Sequence, residues 1–340
     1  MGKLEEMIGL GVALWNDSCD LRELSEAVAR GAVGATSNPV IVATVVERDP
    51  ETWNEHLRRI ERDHPGLSHE ALASRWIDAI AVEASRVLLP VFERTGGEKG
   101  FLNVQVSPRL ARDARRMIGE ARHLASLAPN IAVKIPLTRA GLAAIEALSA
   151  EGIRTNATVS FTVSGAIAAA EAMERGGAFG SYVTIMVGRV ADYLESLQNA
   201  ELRLAQPGTA AWGGIAVFRE AHRLFRRKGL RPTLVAAAYR HVRQWSELVG
   251  DGVVQSIPYR FWKAFDESDV PLASTIERPV PEAILEDLTR WFPELVRARD
   301  ELGVRPEDLE TYGASIATLR QFEAGFDALV ARAATLREGS

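Results

Sequence analysis

The sequence predicts a (β/α)8 barrel, and three observations carry this prediction. It contains eight short apolar runs, amphipathic stretches lie between them, and no dinucleotide-binding glycine motif follows an early run. Strands that alternate with helices are typical of parallel βα units, and eight such units favour a closed barrel over an open sheet. The glycine pairs at 96–97, 176–177 and 213–214 lack the spacing and context of a dinucleotide fingerprint.

Each predicted strand is short, rich in Val, Ile, Ala or aromatic residues, and bounded by residues typical of turns. In chain order the predicted strands span 8–17, 32–38, 101–107, 131–135, 155–160, 182–188, 233–239 and 253–257. The predicted helices span 21–29, 110–126, 139–150, 163–175 and 218–227. Their apolar residues recur at intervals of three and four, as on the buried face of a helix.

Two regions exceed a minimal barrel. Residues 41–95 contain more helical pattern than one crossover needs, and residues 281–337 predict a helical C-terminal extension. Apolar residues at helical spacing in the extension are Ile284, Leu285, Leu288, Trp291, Phe292, Leu295, Leu319, Phe322, Phe326 and Leu329. Such periodic aromatic residues are typical of packing rather than of a cofactor site. Without a linker, a low-complexity tract or an internal repeat, residues 1–340 are expected to form a single domain.

The composition is that of an ordinary globular enzyme or binding protein. The 340 residues are 47% hydrophobic with a formal net charge of −5, which gives no basic footprint for nucleic acid. The single cysteine, Cys19, excludes an internal disulfide framework and fits a reducing compartment. Neither a signal peptide nor an apolar stretch approaching ~18 residues is apparent. We therefore expect a cytoplasmic protein without nucleic-acid or membrane partners, and assembly into a homo-oligomer stays open.

Lys134 is the most informative single residue. It lies in the run Asn-Ile-Ala-Val-Lys-Ile-Pro at 130–136, which has the composition of a short buried strand closed by proline. Burial disfavours the ammonium form, so the pKa of such a lysine falls and its neutral amine becomes a nucleophile near pH 7. The amine could then form a Schiff base with a carbonyl substrate. The alternative is a lysine at a strand end whose charged group reaches solvent.

The chemistry of such a barrel is expected at the carboxyl ends of its strands. The polar side chains at these ends are Asp17, Asn38, Gln105, Lys134, Asn156, Thr158, Arg189 and Arg240. An enzyme that forms a Schiff base with a phosphorylated sugar needs these types of group. The amine attacks a ketone, the carboxylate moves hydroxyl protons, the amides hold hydroxyls and the guanidinium groups hold phosphate.

Each of these side chains also has a structural alternative. Asp17 could cap the helix predicted at 21–29, Asn38 could be a turn residue before Pro39, and Arg189 could be a surface ion-pair partner. Because all of them fall at equivalent positions of the predicted barrel, a common site is favoured over independent structural roles.

Five segments of the chain can be compared with known families. They are Gly-Ala-Thr-Ser-Asn-Pro at 34–39, Val-Gln-Val-Ser-Pro-Arg-Leu at 104–110, the run at 130–136 followed by Thr138, Gly141 and Leu142, Glu-Gly-Ile-Arg-Thr-Asn-Ala-Thr at 151–158, and Val-Gly-Arg at 187–189. In this order they resemble the transaldolase family, over nearly the whole chain. They are similar to the family's Thr-Asn-Pro segment, third-strand motif, Schiff-base lysine segment, following strand and phosphate-binding turn.

The resemblance implies a (β/α)8 barrel that moves a dihydroxyacetone unit between sugar phosphates in the pentose phosphate pathway, without a metal or an organic cofactor. It implies that Lys134 is the Schiff-base lysine, that Asp17 is the acid and base for hydroxyl protons, and that Thr158 positions the catalytic water. The residues implied to bind the substrate are Asn38, Asn156, Arg189 and Arg240. The two amides would hold hydroxyls, and the two arginines would hold the phosphate.

Three positions depart from the family pattern. Gln105 replaces a glutamate of the third-strand motif, and an amide can orient a water but cannot titrate. The fructose-6-phosphate aldolase branch is similar in having glutamine there, but it pairs that glutamine with a tyrosine where this chain has Met186 in the substrate pocket. Ala238 replaces a serine that contacts phosphate in the family. We therefore expect a competent Schiff base with an altered proton relay.

Three functions remain open from the sequence. The first is transfer of a three-carbon ketol unit between phosphorylated sugars. The second is plain aldol cleavage or addition, or action on a non-standard sugar. The third is a non-catalytic barrel that binds sugar phosphates.

Overall fold

Eight parallel strands close into a barrel whose strand order follows the chain. The structure is a computed structural model, and it describes residues 2–177, 180–201 and 203–338. The strands are β1 (Ala13–Asn16), β2 (Gly34–Thr36), β3 (Phe101–Gln105), β4 (Ile131–Pro136), β5 (Thr155–Ser160), β6 (Tyr182–Ile185), β7 (Thr233–Ala236) and β8 (Val254–Ile257). Strand β1 pairs with both β2 and β8, which closes the barrel. The predicted (β/α)8 TIM barrel is confirmed.

Helices connect the strands and form the outer layer. They are α1 (Lys3–Gly9), α2 (Leu21–Ala29), α3 (Pro39–Arg48), α4 (Pro50–Asp63), α5 (His69–Arg94), α6 (Ala114–Ser126), α7 (Arg139–Ala150), α8 (Val163–Arg175), α9 (Val187–Ala200), α10 (Ala211–Lys228), α11 (Val242–Ser246), α12 (Trp262–Asp266), α13 (Glu282–Trp291), α14 (Pro293–Arg299) and α15 (Gly313–Glu338). Short 3-10 helices lie at Pro108–Leu110, Tyr259–Phe261 and Pro306–Thr311. The helices predicted at 21–29, 139–150 and 163–175 are confirmed. Within the described residues, no helix is both long and apolar enough to span a membrane.

The first predicted strand, 8–17, is wrong in its first half. Residues Lys3–Gly9 form α1, and β1 begins only at Ala13. Leu4 and Met7 are buried three residues apart, which is a helical spacing. Gly11 then reverses the chain with a φ of +91°, a left-handed conformation that favours glycine. The apolar run thus spans two elements that the sequence pattern alone does not separate.

Four other strands are shorter than predicted, because their apolar runs continue into the next element. The strands predicted at 32–38, 101–107, 182–188 and 233–239 end at Thr36, Gln105, Ile185 and Ala236. The error at 182–188 affects the site, because Val187 already begins α9, a helix that was not predicted. Arg189 therefore lies in the first turn of a helix.

Two predicted helices have different starts. The pattern at 110–126 begins as a helix only at Ala114, after the 3-10 turn Pro108–Leu110. The helix predicted at 218–227 is longer in the structure, where α10 covers Ala211–Lys228. Its early residues include Gly213 and Gly214, which are poor helix formers and weakened the sequence signal.

The inside of the barrel has an apolar floor and a polar upper part. The floor consists of Trp15, Phe101, Ala132, Tyr182, Val235 and Val254. The next layer, two residues further along the strands, is polar. Here Asn103 donates a hydrogen bond to the Ala35 carbonyl oxygen at 3.0 Å. Asn156 donates to Asn103 at 2.9 Å and accepts from the Thr184 hydroxyl at 2.7 Å. This network provides hydrogen-bond partners for the polar side chains in the middle layer of the barrel. The polar side chains of the layer above it, at the carboxyl ends of the strands, are left for other partners.

Both predicted extra helical regions, 41–95 and 281–337, are confirmed, and they pack on each other. Helix α15 contacts α3, α5 and α9. Helix α3 begins just after the carboxyl end of β2, and α9 begins just after that of β6. An added Cβ at Gly325 of α15 would lie 2.9 Å from the backbone nitrogen of Val40. The C-terminal helix therefore runs across the mouth of the barrel, defined here as the carboxyl-terminal end of its strands. The assignment of residues 1–340 to one domain stays a prediction.

Candidate active site

Lys134 lies on β4 with its amine inside the mouth of the barrel. The side chain is 3% exposed, and its amine donates a hydrogen bond to the Ser37 carbonyl oxygen at 3.0 Å. Burial lowers the pKa of Lys134 to about 8, while the charge of Asp17 acts in the opposite direction and that of Arg189 in the same direction. Lys134 thus does not reach solvent, unlike the strand-end lysine of the alternative interpretation.

Gln105 and Asn156 flank Lys134 on the neighbouring strands. Both are paired with Lys134 in the sheet register, and such neighbours project to the same face of a sheet. Gln105 is buried, and neither its amide nitrogen nor its amide oxygen has a hydrogen-bond partner within the described residues. Within the same residues, Thr158, two positions beyond Asn156, also has a buried hydroxyl without a partner. Unpartnered polar atoms beside a buried amine are typical of a place that holds water or a ligand.

Asp17 follows β1 and is near enough to Lys134 for its charge to raise the pKa of that lysine. Its carboxylate accepts a hydrogen bond from the Thr36 hydroxyl at 2.5 Å, and this hydroxyl lies 2.8 Å from that of Ser256. The alternative that Asp17 caps the following helix is wrong. Asp20 caps α2 instead, by accepting hydrogen bonds from two backbone amides of its first turn.

Asn38 and Asn156 both have structural partners. The side-chain oxygen of Asn38 caps α3 by accepting from the backbone amides of Val40 and Ile41, at 3.0 and 3.1 Å. Asn38 thus does organise the turn before Pro39, as its structural alternative held. Its amide nitrogen has no partner among the described residues, and the Ser37 contact of Lys134 places the amine beside this turn. Asn156 is fully buried and belongs to the internal polar network.

Arg189 contacts the C-terminal helix across the mouth. Its guanidinium donates a hydrogen bond to Gln321 and lies 5.1 Å from the centre of the Phe322 ring. Its Nε is buried and has no hydrogen-bond partner in residues 2–177, 180–201 and 203–338. Burial, together with the charge of Arg240, lowers the pKa of Arg189 to about 10. The ion-pair alternative for Arg189 is wrong in the described structure, since the nearby Asp192 pairs with Arg240 instead, at 2.9 Å.

Arg240 lies beyond β7, close enough to Arg189 for the two charges to repel. Besides its ion pair with Asp192, it donates to the Ala238 carbonyl oxygen at 2.7 Å. Of these two guanidinium groups only Arg240 has a carboxylate partner, and Arg189 contacts the neutral Gln321, so positive charge is concentrated at this side of the mouth. A phosphate dianion would relieve this repulsion.

Two departures from the family pattern adjoin these arginines, since the Met186 carbonyl oxygen accepts from the backbone amide of Arg189 and the Ala238 carbonyl oxygen accepts from Arg240. Met186 is buried at the start of α9 and offers no hydroxyl. Ala238 has a φ of +61°, which is strained for a residue with a side chain. No observation in the structure explains why alanine rather than glycine or serine stands there.

Three residues near the mouth were missed by the sequence analysis. Tyr239 is fully buried, and its hydroxyl has no partner among the described residues. Burial together with the negative charge of Asp17 raises the pKa of Tyr239 well above 10. Its only signal was its position beside Arg240. Gln321 and Phe322 contact Arg189 from α15. Helical periodicity identified Phe322 as packing, but it could not show which residue it packs against.

No group of three or more histidine, cysteine or acidic side chains is arranged to hold a metal ion in the part of the chain that the structure describes. The polar groups of the mouth are instead an amine, a carboxylate, amides, hydroxyls and guanidinium groups.

Comparison with protein-family models decides the family. The model of the transaldolase/fructose-6-phosphate aldolase family matches residues 14–330. The chain belongs to this family. A transaldolase from Thiobacillus denitrificans is 28% identical over 377 residues, covering 98% of this chain and 99% of that protein. A transaldolase from Neisseria gonorrhoeae is 27% identical, covering 96% and 98% of the two chains. A transaldolase from Thermobifida fusca is 40% identical over 169 residues, covering 47% and 45%.

Membership of the transaldolase family fits the geometry of the mouth. The protein is a transaldolase-like transferase with a transaldolase-type function. Sugar phosphates are the substrates expected of this family, and the positive charge of Arg189 and Arg240 beside a buried amine is compatible with them.

Proposed function

We propose that this protein transfers a dihydroxyacetone unit from a ketose phosphate to an aldose phosphate through a Schiff base on Lys134. The observation that carries the proposal is the buried amine of Lys134, whose pKa burial lowers to about 8. Such an amine is partly neutral at physiological pH and can attack a ketone. Family membership supports the same activity.

The proposed reaction begins when the neutral amine of Lys134 attacks the ketose carbonyl carbon. The resulting carbinolamine takes up one proton, relayed from solvent by Asp17, loses water and becomes a protonated imine. Asp17 then takes the proton of the C4 hydroxyl, the C3–C4 bond breaks, and its electron pair enters the imine to form an enamine. The aldehyde product leaves and an acceptor aldehyde replaces it. The enamine adds to the acceptor, Asp17 returns the proton, and water hydrolyses the imine.

The water of imine formation and hydrolysis would lie between Gln105 and Thr158. Both present buried polar atoms without partners, and both lie on strands next to that of Lys134. An amide and a hydroxyl do not titrate in the relevant pH range. The side chains of Gln105 and Thr158 can therefore orient this water but cannot act as its general base. Asp17 would therefore serve the proton transfers of imine formation and hydrolysis as well as that of the carbon–carbon step.

The substrate phosphate would bind between Arg189 and Arg240. The repulsion between these guanidinium groups, expressed in the lowered pKa of Arg189, would be relieved by a dianion. In the structure Arg189 donates a hydrogen bond to Gln321, and Arg240 pairs with Asp192. A bound phosphate would replace at least one of these contacts. Asn38 would use its free amide nitrogen for a hydroxyl of the bound ketose.

A second candidate is plain aldol cleavage or addition without transfer. The observation that favours it is the glutamine at 105, which removes the titratable group that the transaldolase pattern has beside the lysine. Met186 weakens this candidate, because it removes the tyrosine that the aldolase branch has on the sixth strand.

Product analysis with and without an acceptor distinguishes the two candidates. With fructose 6-phosphate alone, transfer predicts little free product, whereas aldol cleavage releases both fragments. With erythrose 4-phosphate added, transfer yields equal amounts of a three-carbon aldose phosphate and a seven-carbon ketose phosphate. Sustained release of dihydroxyacetone that ignores the acceptor would favour the second candidate.

The role of Arg189 has its own test. Arg189→Ala should weaken phosphorylated substrates by about 2–3 kcal/mol, as expected for the loss of charge-assisted hydrogen bonds. Unphosphorylated dihydroxyacetone, used as donor, provides the matched control and should be affected little. An equal loss for both substrate types would instead assign Arg189 to the packing of α9 against α15.

A further inference from the structure

A cavity lies in the helical layer outside the barrel, away from the mouth. It has a volume of about 470 Å³. Its walls are α10, the segment that leads into α13, and Arg299 at the carboxyl end of α14. The backbone amides of Thr275 and Ile276 in that segment donate to the Val249 carbonyl oxygen, at 2.8 and 3.0 Å. Since Val249 precedes β8, the cavity is near the amino end of that strand. It shares no lining residue with the candidate active site.

Arg219 of α10 is the most deeply buried cation of this cavity, at 7% exposure. Its Nη2 donates to the Glu247 carboxylate at 2.6 Å and to the Thr275 carbonyl oxygen at 3.0 Å. Its Nε, however, is buried and has no acceptor among the residues that the structure describes. Burial lowers the pKa of Arg219 even though Glu247 opposes this effect. A rigid, buried guanidinium that lacks one acceptor is unusual in a satisfied core.

The charges around the cavity do not balance. The arginines that have carboxylate partners form the pairs Arg219–Glu247, Arg223–Glu220 and Arg226–Glu277. Two further lining arginines, Arg278 and Arg299, form no ion pair with a carboxylate of the described residues. The Nε of Arg299 is also buried without an acceptor in the described part of the chain, and burial lowers the pKa of Arg299. Arg299 is half-buried and Arg278 is exposed. The five arginines outnumber the three carboxylates that pair with them, so the cavity carries an excess of positive charge and favours an anion.

The remaining walls are apolar. Ile276, Val280 and Leu285 line the cavity beside the arginines. A site with several convergent cations and apolar walls suits a molecule that combines an anionic group with a carbon skeleton. Among anions, a phosphate group matches the planar donor fork of arginine and carries about the two charges that Arg278 and Arg299 leave unbalanced.

We propose that this cavity binds a small soluble phosphate ester with an apolar or aromatic portion. The phosphate would accept hydrogen bonds from Arg299, Arg278 and the free Nε of Arg219, and the carbon portion would contact Ile276 and Val280. The site is separate from the mouth and does not depend on the proposed transfer reaction.

Phenyl phosphate is a suitable probe, and inorganic phosphate is its comparison. Isothermal titration calorimetry is performed on the wild type and on Arg189→Ala, which weakens phosphate binding at the mouth. Phenyl phosphate should bind Arg189→Ala with a stoichiometry near one, and about tenfold or more tighter than inorganic phosphate because of the apolar walls. Equal binding of the two probes would overturn the assignment of an apolar portion.

Two substitutions and one control locate the site. Arg299→Met and Arg278→Met should each weaken phenyl phosphate by about tenfold or more, since each removes a charge-assisted hydrogen bond. Arg297→Met, two residues before Arg299 on α14 and outside the cavity, should change binding by less than about twofold. Arg278 is exposed, so its replacement does not threaten the fold. Absence of binding to the wild type at millimolar probe, or an equal loss in Arg297→Met, would overturn the proposal.

Discussion

Two opposing effects set the pKa of Lys134. Burial of the side chain, together with the positive charge of Arg189, disfavours the ammonium, and the negative charge of Asp17 favours it. Burial prevails, so the pKa falls from 10.5 to about 8, and about one tenth of the amine is neutral at pH 7. A direct ion pair with Asp17 would have kept the amine charged. The hydrogen bond to the Ser37 carbonyl oxygen instead orients the amine without adding a full charge.

Replacement of Asp17 separates proton transfer from imine formation. Asp17→Ala should leave trapping of the Schiff base largely intact while slowing carbon–carbon cleavage by ~10²-fold or more. Because Asp17 raises the pKa of Lys134, its loss should also move the pH profile of trapping to lower pH. Both effects are measured by reductive trapping and by steady-state kinetics.

Asp20→Ala is the matched control for this experiment. Asp20 caps α2, so its replacement should destabilise the fold by roughly 1 kcal/mol and leave the rate of cleavage nearly unchanged. Normal turnover in Asp17→Ala would contradict a proton-transfer role for Asp17.

Gln105→Glu tests whether the missing carboxylate limits the reaction. The new carboxylate would lie beside Lys134, raise the pKa of the amine and move the pH profile of trapping to higher pH. It would also supply a titratable group to the water held with Thr158. We expect a gain in turnover of fructose 6-phosphate with erythrose 4-phosphate, measured at the new pH optimum. A clear loss, with Lys134 still trappable, would mean that the pocket is built around an amide for a different substrate.

At the scale of elements, the site depends on close packing between α9 and the loop after β7. Gly188 of α9 lies against this loop, and an added Cβ would be 1.9 Å from the Ala238 carbonyl oxygen. The same carbonyl oxygen accepts a hydrogen bond from Arg240. The absence of a side chain at Gly188 thus fixes the distance between the helix of Arg189 and the loop of Arg240.

Gly188→Ala should push these elements apart. We expect a loss of about 1–3 kcal/mol in the free energy of unfolding, from overpacking, and weaker binding of sugar phosphates. Gly119→Ala in α6 is the control, because a Cβ there meets no atom within 4 Å. It should stabilise the protein by about 0.5–1 kcal/mol and leave binding unchanged. Denaturant unfolding and substrate titration measure both; equal behaviour of the two variants would contradict this account.

The sequence predicted the bounds of helices and strands well where the hydrophobic period and the turn residues indicated the same ends. Helices α2, α7 and α8 have the predicted bounds, because polar residues cap them clearly. Apolar runs that cross from one element to the next could not be divided, as at 8–17 and 182–188. The contact of Arg189 with Gln321 joins segments 132 residues apart, which no local pattern can show.

At the scale of the whole molecule, the barrel separates two positively charged regions. The mouth holds Lys134, Arg189 and Arg240 beneath the C-terminal helix, while the arginines of α10 and α14 line the cavity in the helical layer outside the barrel. The sequence could predict the residues of the mouth, since the ends of strands in a barrel meet at one place. It could not predict the opposite cavity, because helix packing rather than strand order brings those arginines together.

The central claim is that Lys134 forms the Schiff base, and reductive trapping tests it most directly. The protein is incubated with fructose 6-phosphate and borohydride over a range of pH, and the modified residue is located by mass spectrometry. The account predicts one adduct, on Lys134, whose rate of formation rises with pH and levels off above about pH 8 as the amine loses its proton. Lys134→Met should abolish it. An adduct on another lysine, such as the exposed Lys263, or a rate that keeps rising towards pH 10, would contradict the account.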